Sequence, residues 1–225
     1  YKTAKLNITK YQTSDDYLIT PLKIATKAHL IRLVLPSPLI PSSLIGLHNQ
    51  YNIMPSVLIG ELLGLSQDQI INSIKSFTPL ETRLEKVAVK NDIAFYADTL
   101  ATIPEASIAA IDTLHPHTLI TGGHERFQRY TDLAKKILES GVSTVILFPA
   151  TGPRLWSSVE SAQSLFSQYS LPQHFHAVSM SEAVRLAFEH TPSGKICLLS
   201  PAAPSFTLFK DYKDEHEQYK NAILN

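Results

Sequence analysis

An apolar run, Ile93-Ala-Phe-Tyr-Ala97, stops at Asp98, and a short turn through Thr102 leads into Pro104-Glu105 and an apolar-periodic stretch. A strand, then polar side chains at its carboxyl end, then a helix start is where open α/β sheets place their ligands. Free backbone N–H groups and the helix dipole favour anions at such a start. Three other apolar runs end in the same manner, before Gly122-Gly-His124-Glu-Arg126, before Thr151-Gly-Pro-Arg154 and before Ser200-Pro-Ala-Ala-Pro-Ser205. Paired glycines after a strand allow close backbone approach. Arg126 supplies a fork for a carboxylate, and Thr102 and Ser205 each offer a hydroxyl hydrogen bond. Such a set suits a small dicarboxylate amino acid.

For those ends to meet, the strands behind them must run parallel in one sheet. Lys90-Asn91-Asp92 reads as a turn between two strands, so a hairpin delivers the chain to Asp98. Pro104 to about Leu114 reads as a helix with Pro first and Glu in its opening turn. Strand Thr118–Thr121, helix Thr131–Ser140 stopped by Gly141, and strand Val142–Phe148 follow. A helix from Leu155 to about Tyr169 and a brief strand His176–Val178 come next. Ser179 caps a helix to about Glu189, Ile196–Leu199 is a buried strand, and a charged helix closes the chain. Strands alternating with helices predict an α/β fold with a Rossmann-like, doubly wound, mostly parallel sheet.

Upstream, a short polar helix precedes Tyr17-Leu-Ile-Thr, and His29–Leu35 reads as a strand before the Pro36, Pro38 and Pro41 cluster forces extended chain. Gly46-Leu-His48-Asn49-Gln-Tyr-Asn52 then enters an apolar helix whose start Met54-Pro55 is expected to bend. His48, Asn49 and Asn52 can cap that helix or turn amide edges toward a ligand. Ser66-x-x-Gln69 is a capping box for a helix with Ile70, Ile71, Ile74 and Phe77 on one face. Thr78-Pro79-Leu80 reads as the linker between residues 1–80 and residues 81–225.

Twenty basic residues offset twenty acidic ones in a chain of 225, and 44% of residues are hydrophobic. That excludes the basic field a nucleic-acid binder carries and a Lys/Arg-rich membrane-surface helix. No apolar stretch reaches the roughly 18 to 20 residues that span a bilayer. Cys197 is the single cysteine, so no intrachain disulfide forms and a reduced, cytosolic setting is expected. Lying inside an apolar run, it reads as an inert core residue. His115, His117, His174, His176, His190 and His216 lack metal-ligand spacing and read as surface or loop histidines. His124 reads as a solvent-facing loop residue. Ser193-Gly194-Lys195 lacks the first Gly and the trailing Ser or Thr of a phosphate loop.

The motifs carry a resemblance. Tyr96-Ala-Asp98-Thr-Leu-Ala-Thr102-x-Pro104-Glu105 is similar to the Asp-Ser-x-Ala-Thr-x-Pro-Glu stretch of the Mur ligases. Gly46-x-His48-Asn49-x-x-Asn52 resembles the segment of that family whose Asn contacts adenine, and Tyr1-x-x-Ala4-Lys5 to Gln12 a stretch late in its ATPase domain. Glu81-Thr82-Arg83-Leu84-Glu85 resembles His-Arg-Leu-Glu. Gly122-Gly123-x-x-Arg126 resembles Gly-Gly-x-x-Lys, and Leu198 to Tyr212 the closing Leu-Ser-Pro-Ala-x-x-Ser stretch. The resemblance implies that His48, Asn49, Asn52, Arg83 and Asp98 bind the nucleotide. It implies that Thr102, Arg126, Ser205 and Tyr212 bind glutamate.

By the same resemblance the parent is a bacterial cytoplasmic ligase that uses ATP and Mg2+ to add D-glutamate to UDP-N-acetylmuramoyl-L-alanine through an acyl phosphate. A monomer is expected, without nucleic acid or membrane partners. Residues 1–80 would be the tail of the ATPase domain, and 81–225 the glutamate-binding domain. The phosphate loop, the magnesium ligands and the domain that grips the UDP-sugar are not found, so the chain reads as a piece of a longer enzyme, inactive alone. Leu100 stands where many members have Lys, Arg126 where they have Lys, Phe127 where they have Gly and Thr207 where Asp is common. These departures bear on glutamate affinity and stereochemistry. Two other readings stay open: a relative that adds L-glutamate or another amino acid, as folylpolyglutamate synthases do, and a non-catalytic α/β binding module.

Overall fold

Helix α1 (Lys2–Leu6) and a 3-10 turn open the chain in a computed structural model that describes residues 2–225. Tyr1, the first residue of the motif running to Gln12, lies outside the described residues. The chain divides into two compact units, Tyr1–Thr78 and Pro79–Asn225.

In the first unit, strands β1 (Tyr17–Thr20) and β2 (His29–Arg32) pair in parallel, Tyr17 opposite His29 and Thr20 opposite Arg32. β2 stops before the end of its apolar run because β1 ends at Thr20, whose carbonyl accepts the last bond, from Leu33 N–H at 3.0 Å. Buried Gln50 holds the proline-rich segment after β2, accepting from Ile40 N–H at 2.9 Å and donating to Ile40 carbonyl at 3.0 Å. Helix α2 (Leu47–Leu62) begins behind Gly46, which caps it without a side-chain hydrogen bond. Pro55 therefore lies well inside the helix rather than at its start, where it removes the donor for the Tyr51 carbonyl.

Helix α3 (Gln67–Ser76) carries the expected capping box. Ser66 Oγ accepts from Gln69 N–H at 3.3 Å, and Gln69 Oε1 accepts from Ser66 N–H at 2.9 Å. Ile53, Val57 and Ile70 form this unit's small core, with Ile40, Leu44 and Ile74 against it. With so little apolar burial a cap weighs heavily, and Ser66→Ala should cost about 1 kcal/mol. Chemical denaturation of the two forms, followed by probes within residues 1–78, checks this; an unchanged midpoint would show the box to be dispensable.

In the second unit β3 (Glu85–Lys90) and β4 (Ile93–Ala97) form the expected hairpin. α4 (Pro104–Leu114), β5 (Thr118–Gly122), α5 (Thr131–Glu139), β6 (Thr144–Phe148) and α6 (Gly152–Leu165) come after it. Then come β7 (Gln173–His176), α7 (Met180–His190), β8 (Ile196–Leu199) and α8 (Tyr212–Leu224). The sheet order is β3-β4-β8-β5-β6-β7, parallel throughout except for β3. Alternate strand residues point to opposite faces. Leu119, Val145, Leu147 and Leu198 pack with α4, α5 and α6, whereas Phe95, Ile120, Ile146, Cys197 and Leu199 pack with α7 and α8. The α/β fold with a mostly parallel sheet is the one expected.

β6 begins at Thr144 rather than Val142, and two further elements of this unit depart more from expectation. β7 occupies Gln173–His176 instead of His176–Val178. Leu147 lies opposite His176, Ala177 N–H donates to the Leu147 carbonyl at 3.1 Å, and Val178 N–H turns away to the Glu182 carboxylate at 2.9 Å. The strand thus ends where the α7 cap begins. α6 starts at Gly152 rather than Leu155, because Pro153 is accepted in a first helical turn, and it ends at Leu165 where Phe166 caps it. Trp156 is therefore one turn inside α6, stacked on His174 at 3.9 Å. Cys197 is fully buried, and burial pushes its thiol up to about 12, as an inert core residue requires.

Candidate functional site

Parallel pairing brings the ends of β4, β8, β5 and β6 to one edge of the sheet, and backbone hydrogen bonds join the segments just past those ends. Asp98 N–H donates to the Leu199 carbonyl at 2.8 Å, Gly122 N–H to Pro201 at 2.8 Å, and His124 N–H to Pro204 at 2.7 Å. Ala150 N–H reaches the Gly123 carbonyl at 2.9 Å, and Gly123 N–H donates to Thr151 Oγ1 at 3.0 Å. Ser107 on α4 meets Ser200 hydroxyl to hydroxyl at 2.7 Å, tying α4 beneath the seam. All four polar segments named from the sequence lie along this seam.

Asp98 is the first residue past β4 and is 8% exposed. Burial pushes its carboxyl up to about 6, while the Leu84 N–H it accepts and the Arg83 charge pull the other way. Thr82 and Leu84, with φ of 71° and 46°, wrap the turn around it. Thr82 N–H donates to Glu85 Oε2 at 2.7 Å, and the same oxygen lies 3.4 Å from His216 Nε2. His216, expected at the surface, is 3% exposed. It shares the buried face of α8 with Glu215, Tyr219 and Ile223. Arg83 itself is exposed.

A residue the sequence did not single out ties the loop that carries Arg126 to Thr102, since Gln128 Nε2 donates to the Thr102 carbonyl at 2.9 Å. Arg126 is exposed, and its N–H donates to the Glu125 carboxylate. Ser205 is buried, and its carbonyl accepts from Leu208 and Phe209 N–H at 3.3 and 3.1 Å, opening the turn that seats Phe209 against Phe148. Tyr212 begins α8, half-buried, behind an Asp211 cap that accepts from Lys213 and Asp214 N–H at 2.9 Å.

Among the described residues, the buried side-chain polar atoms without a partner are Thr82 Oγ1, Thr99 Oγ1, Gln128 Oε1, both Glu215 oxygens and His216 Nδ1. Buried polar atoms are ordinarily satisfied. Those of Thr82, Thr99 and Gln128 sit in the turns that flank the seam. Burial holds the Glu215 carboxyl well above its usual range.

His48, Asn49 and Asn52 lie in the other unit, in the first turns of α2 rather than at its cap. Asn49 Nδ2 donates to the Ile45 carbonyl at 2.7 Å, and its Oδ1 accepts from Asn52 Nδ2 at 3.1 Å. Among the described residues no three His, Cys, Asp or Glu side chains gather as a metal site would need, and no helix is long and apolar enough to cross a membrane.

No protein-family model matches the chain. Its sequence is similar to the UDP-N-acetylmuramoylalanine–D-glutamate ligase of Hahella chejuensis, 34% identical over 183 residues that make up 79% of this chain and 39% of the relative. It is also similar to the UDP-N-acetylmuramoyl-L-alanine–L-glutamate ligase of Salinispora tropica, 31% identical over 83% of this chain and 42% of that protein. The chain thus spans about two-fifths of the length of these relatives. In fold it is similar to the murein peptide ligase of Psychrobacter arcticus, with a TM-score of 0.62 at 12% identity over the whole chain and 54% of that structure. The Mycobacterium tuberculosis folylpolyglutamate synthase complexed with ADP matches with a TM-score of 0.53 at 14% identity, over 73% of this chain and 39% of the other. The resemblance carried by the motifs is therefore upheld.

Proposed function

We propose that this chain, which belongs to the Mur ligase family, is the carboxyl-terminal part of an ATP-dependent ligase that joins D-glutamate to UDP-N-acetylmuramoyl-L-alanine. Residues 81–225 bind the incoming glutamate, and residues 1–80 close the ATP-binding domain. The observation that carries this reading is the carboxyl-edge seam, with Thr102, Arg126 and Ser205 on the turns that Asp98, Gly122, Gly123 and Ser200 lead into. A dicarboxylate needs a cation and hydroxyl donors, and these residues supply both.

The nucleoside end of ATP fits the residues present, with a buried carboxylate at Asp98 to accept from ribose hydroxyls and the Arg83 cation beside it. For Mg2+ the described residues gather no ligand set. ATP, when bound, supplies the phosphoryl group that activates the alanyl carboxylate. The role of this chain is to hold the glutamate amine against that activated carbon, since positioning and charge neutralisation carry most of such a transfer. The parent works in the bacterial cytoplasm as a monomer, and this chain alone does not turn over.

Titration of the chain with D-glutamate and L-glutamate, read by amide NMR shifts, tests the proposal. Saturable shifts around residues 98–126 and 200–212 with the D isomer are expected, weakened about tenfold or more by Arg126→Ala and by Ser205→Ala. Binding that ignores both substitutions would overturn the site. Preference for the L isomer would move the substrate to that of the Salinispora relative, whose similarity to this chain is close to that of the D-glutamate ligase.

A further inference from the structure

The loop of residues 123–130 carries Arg126 across the seam, and one side chain from another element gathers it. Arg154, in the first turn of α6, donates through Nε to Glu125 Oε2 at 3.0 Å and through Nη2 to Glu125 Oε1 at 2.6 Å. Its Nη1 donates to the Gln128 carbonyl at 2.5 Å, and its guanidinium lies 4.7 Å from the Tyr130 ring centre. Three points of one loop are thus fixed by one planar cation. The loop is then joined to Thr102 through the Gln128 side chain.

We propose that Arg154 is a positioning residue that sets Arg126 for the substrate carboxylate and keeps Glu125 from competing for it. This rests on the glutamate-binding reading above. The grounds are charge and covalent neighbourhood. Glu125 precedes Arg126 in the chain and accepts from the Arg126 and Phe127 N–H groups. An unengaged carboxylate on the residue next to Arg126 is free to pair with its guanidinium in place of the substrate. Arg154 occupies both oxygens of Glu125 in a bidentate fork, the geometry in which Arg and carboxylate pair best. Leu100 sharpens the need, because Arg126 is then the one cation among the four residues assigned to glutamate. Arg154 also fixes the far side of the loop through Gln128, so the spacing between Arg126 and Thr102 depends on the same side chain. A Lys at 154 would keep the charge and lose the fork.

The test uses this chain in four forms: unaltered, Arg154→Ala, Arg154→Lys, and the double change Arg154→Ala with Glu125→Gln. In ligand-free protein, Arg154→Ala should speed amide exchange across residues 124–130 by tenfold or more while exchange in β5 and β6 is unchanged. With D-glutamate the dissociation constant should rise about tenfold in Arg154→Ala and less in Arg154→Lys. It should recover in part in the double form, since the competing charge is then gone. Recovery separates positioning from simple loss of structure, because a misfolded loop is not rescued by neutralising Glu125. Exchange and dissociation constant both unmoved in Arg154→Ala would overturn the proposal, as would a double form no better than the single. If the unaltered chain binds neither isomer, the glutamate reading fails, and the exchange rates still decide whether Arg154 orders the loop.

Discussion

Gly122→Ala should lower stability by about 3 kcal/mol or more, whereas Gly141→Ala should cost about 1 kcal/mol. Both glycines have positive φ, 107° and 76°, so both substitutions meet the left-handed penalty of an L side chain. They differ in what surrounds the added methyl. At Gly141 nothing lies within 4 Å, whereas at Gly122 the Cβ would stand 2.5 Å from the Phe148 carbonyl oxygen and 3.0 Å from its amide nitrogen. Those atoms belong to the neighbouring strand, paired with Gly122 in the β5–β6 register. Backbone inside a parallel sheet cannot swing aside as a side chain can, so either the pair opens or the strand shifts. Either movement displaces Gly123 and with it the start of the Arg126 loop. Gly122→Ala should therefore also abolish the D-glutamate shifts if the chain folds at all. Urea midpoints for the two variants decide the matter, and equal losses would mean that crowding at the seam adds nothing to the φ penalty.

How far the site is legible in the sequence depends on what each residue signals locally. The ends of β4, β5, β6 and β8 are legible because apolar runs stop at Asp98, Gly122, Pro149 and Ser200, and alternation with helices dictates that such ends share an edge. β7 is hard to place because it is an edge strand of composition Gln-His-Phe-His, in which only Phe175 is apolar. The strand is specified by its pairing to β6, which no local pattern displays. The fork between Glu125 and Arg154 joins residues far apart in sequence, and neither side chain announces its partner. His216 is hidden in a charged helix, although Tyr212, His216, Tyr219 and Ile223 repeat at helical spacing and mark one face. That spacing is the available signal, outweighed by Lys213, Asp214, Glu215 and Glu217 around it.

Asp98→Asn should stabilise the chain at pH 7.5 by up to about 3 kcal/mol and leave it nearly unchanged near pH 4. The carboxyl is held at about 6 in the fold against 3.8 for the ordinary group. The folded state therefore binds its proton more tightly than the unfolded chain. Stability from this group is greatest below about pH 4, falls as pH rises through the interval from 3.8 to about 6, and is flat above it. A difference of about two pH units corresponds to about 3 kcal/mol. Burial is the largest cause, so a neutral carboxamide of the same shape, still able to accept from Leu84 N–H, escapes the cost. Arg83 charge and the Leu84 amide already oppose it, and the value of about 6 includes them. Glu215, also raised by burial, adds a slope of the same sign, but both forms carry it and it cancels in their difference. Urea midpoints of the two forms at about pH 4, 5, 6 and 7.5 measure that difference; a gap independent of pH would show that Asp98 is not the group being titrated. A buried carboxylate held at a cost in the fold supports the role proposed for Asp98, in which ribose hydroxyls would supply the donors that water cannot. On that proposal the parent enzyme should bind nucleotide more tightly as pH rises through about 6, and the stabilised Asp98→Asn form should bind it weakly at every pH.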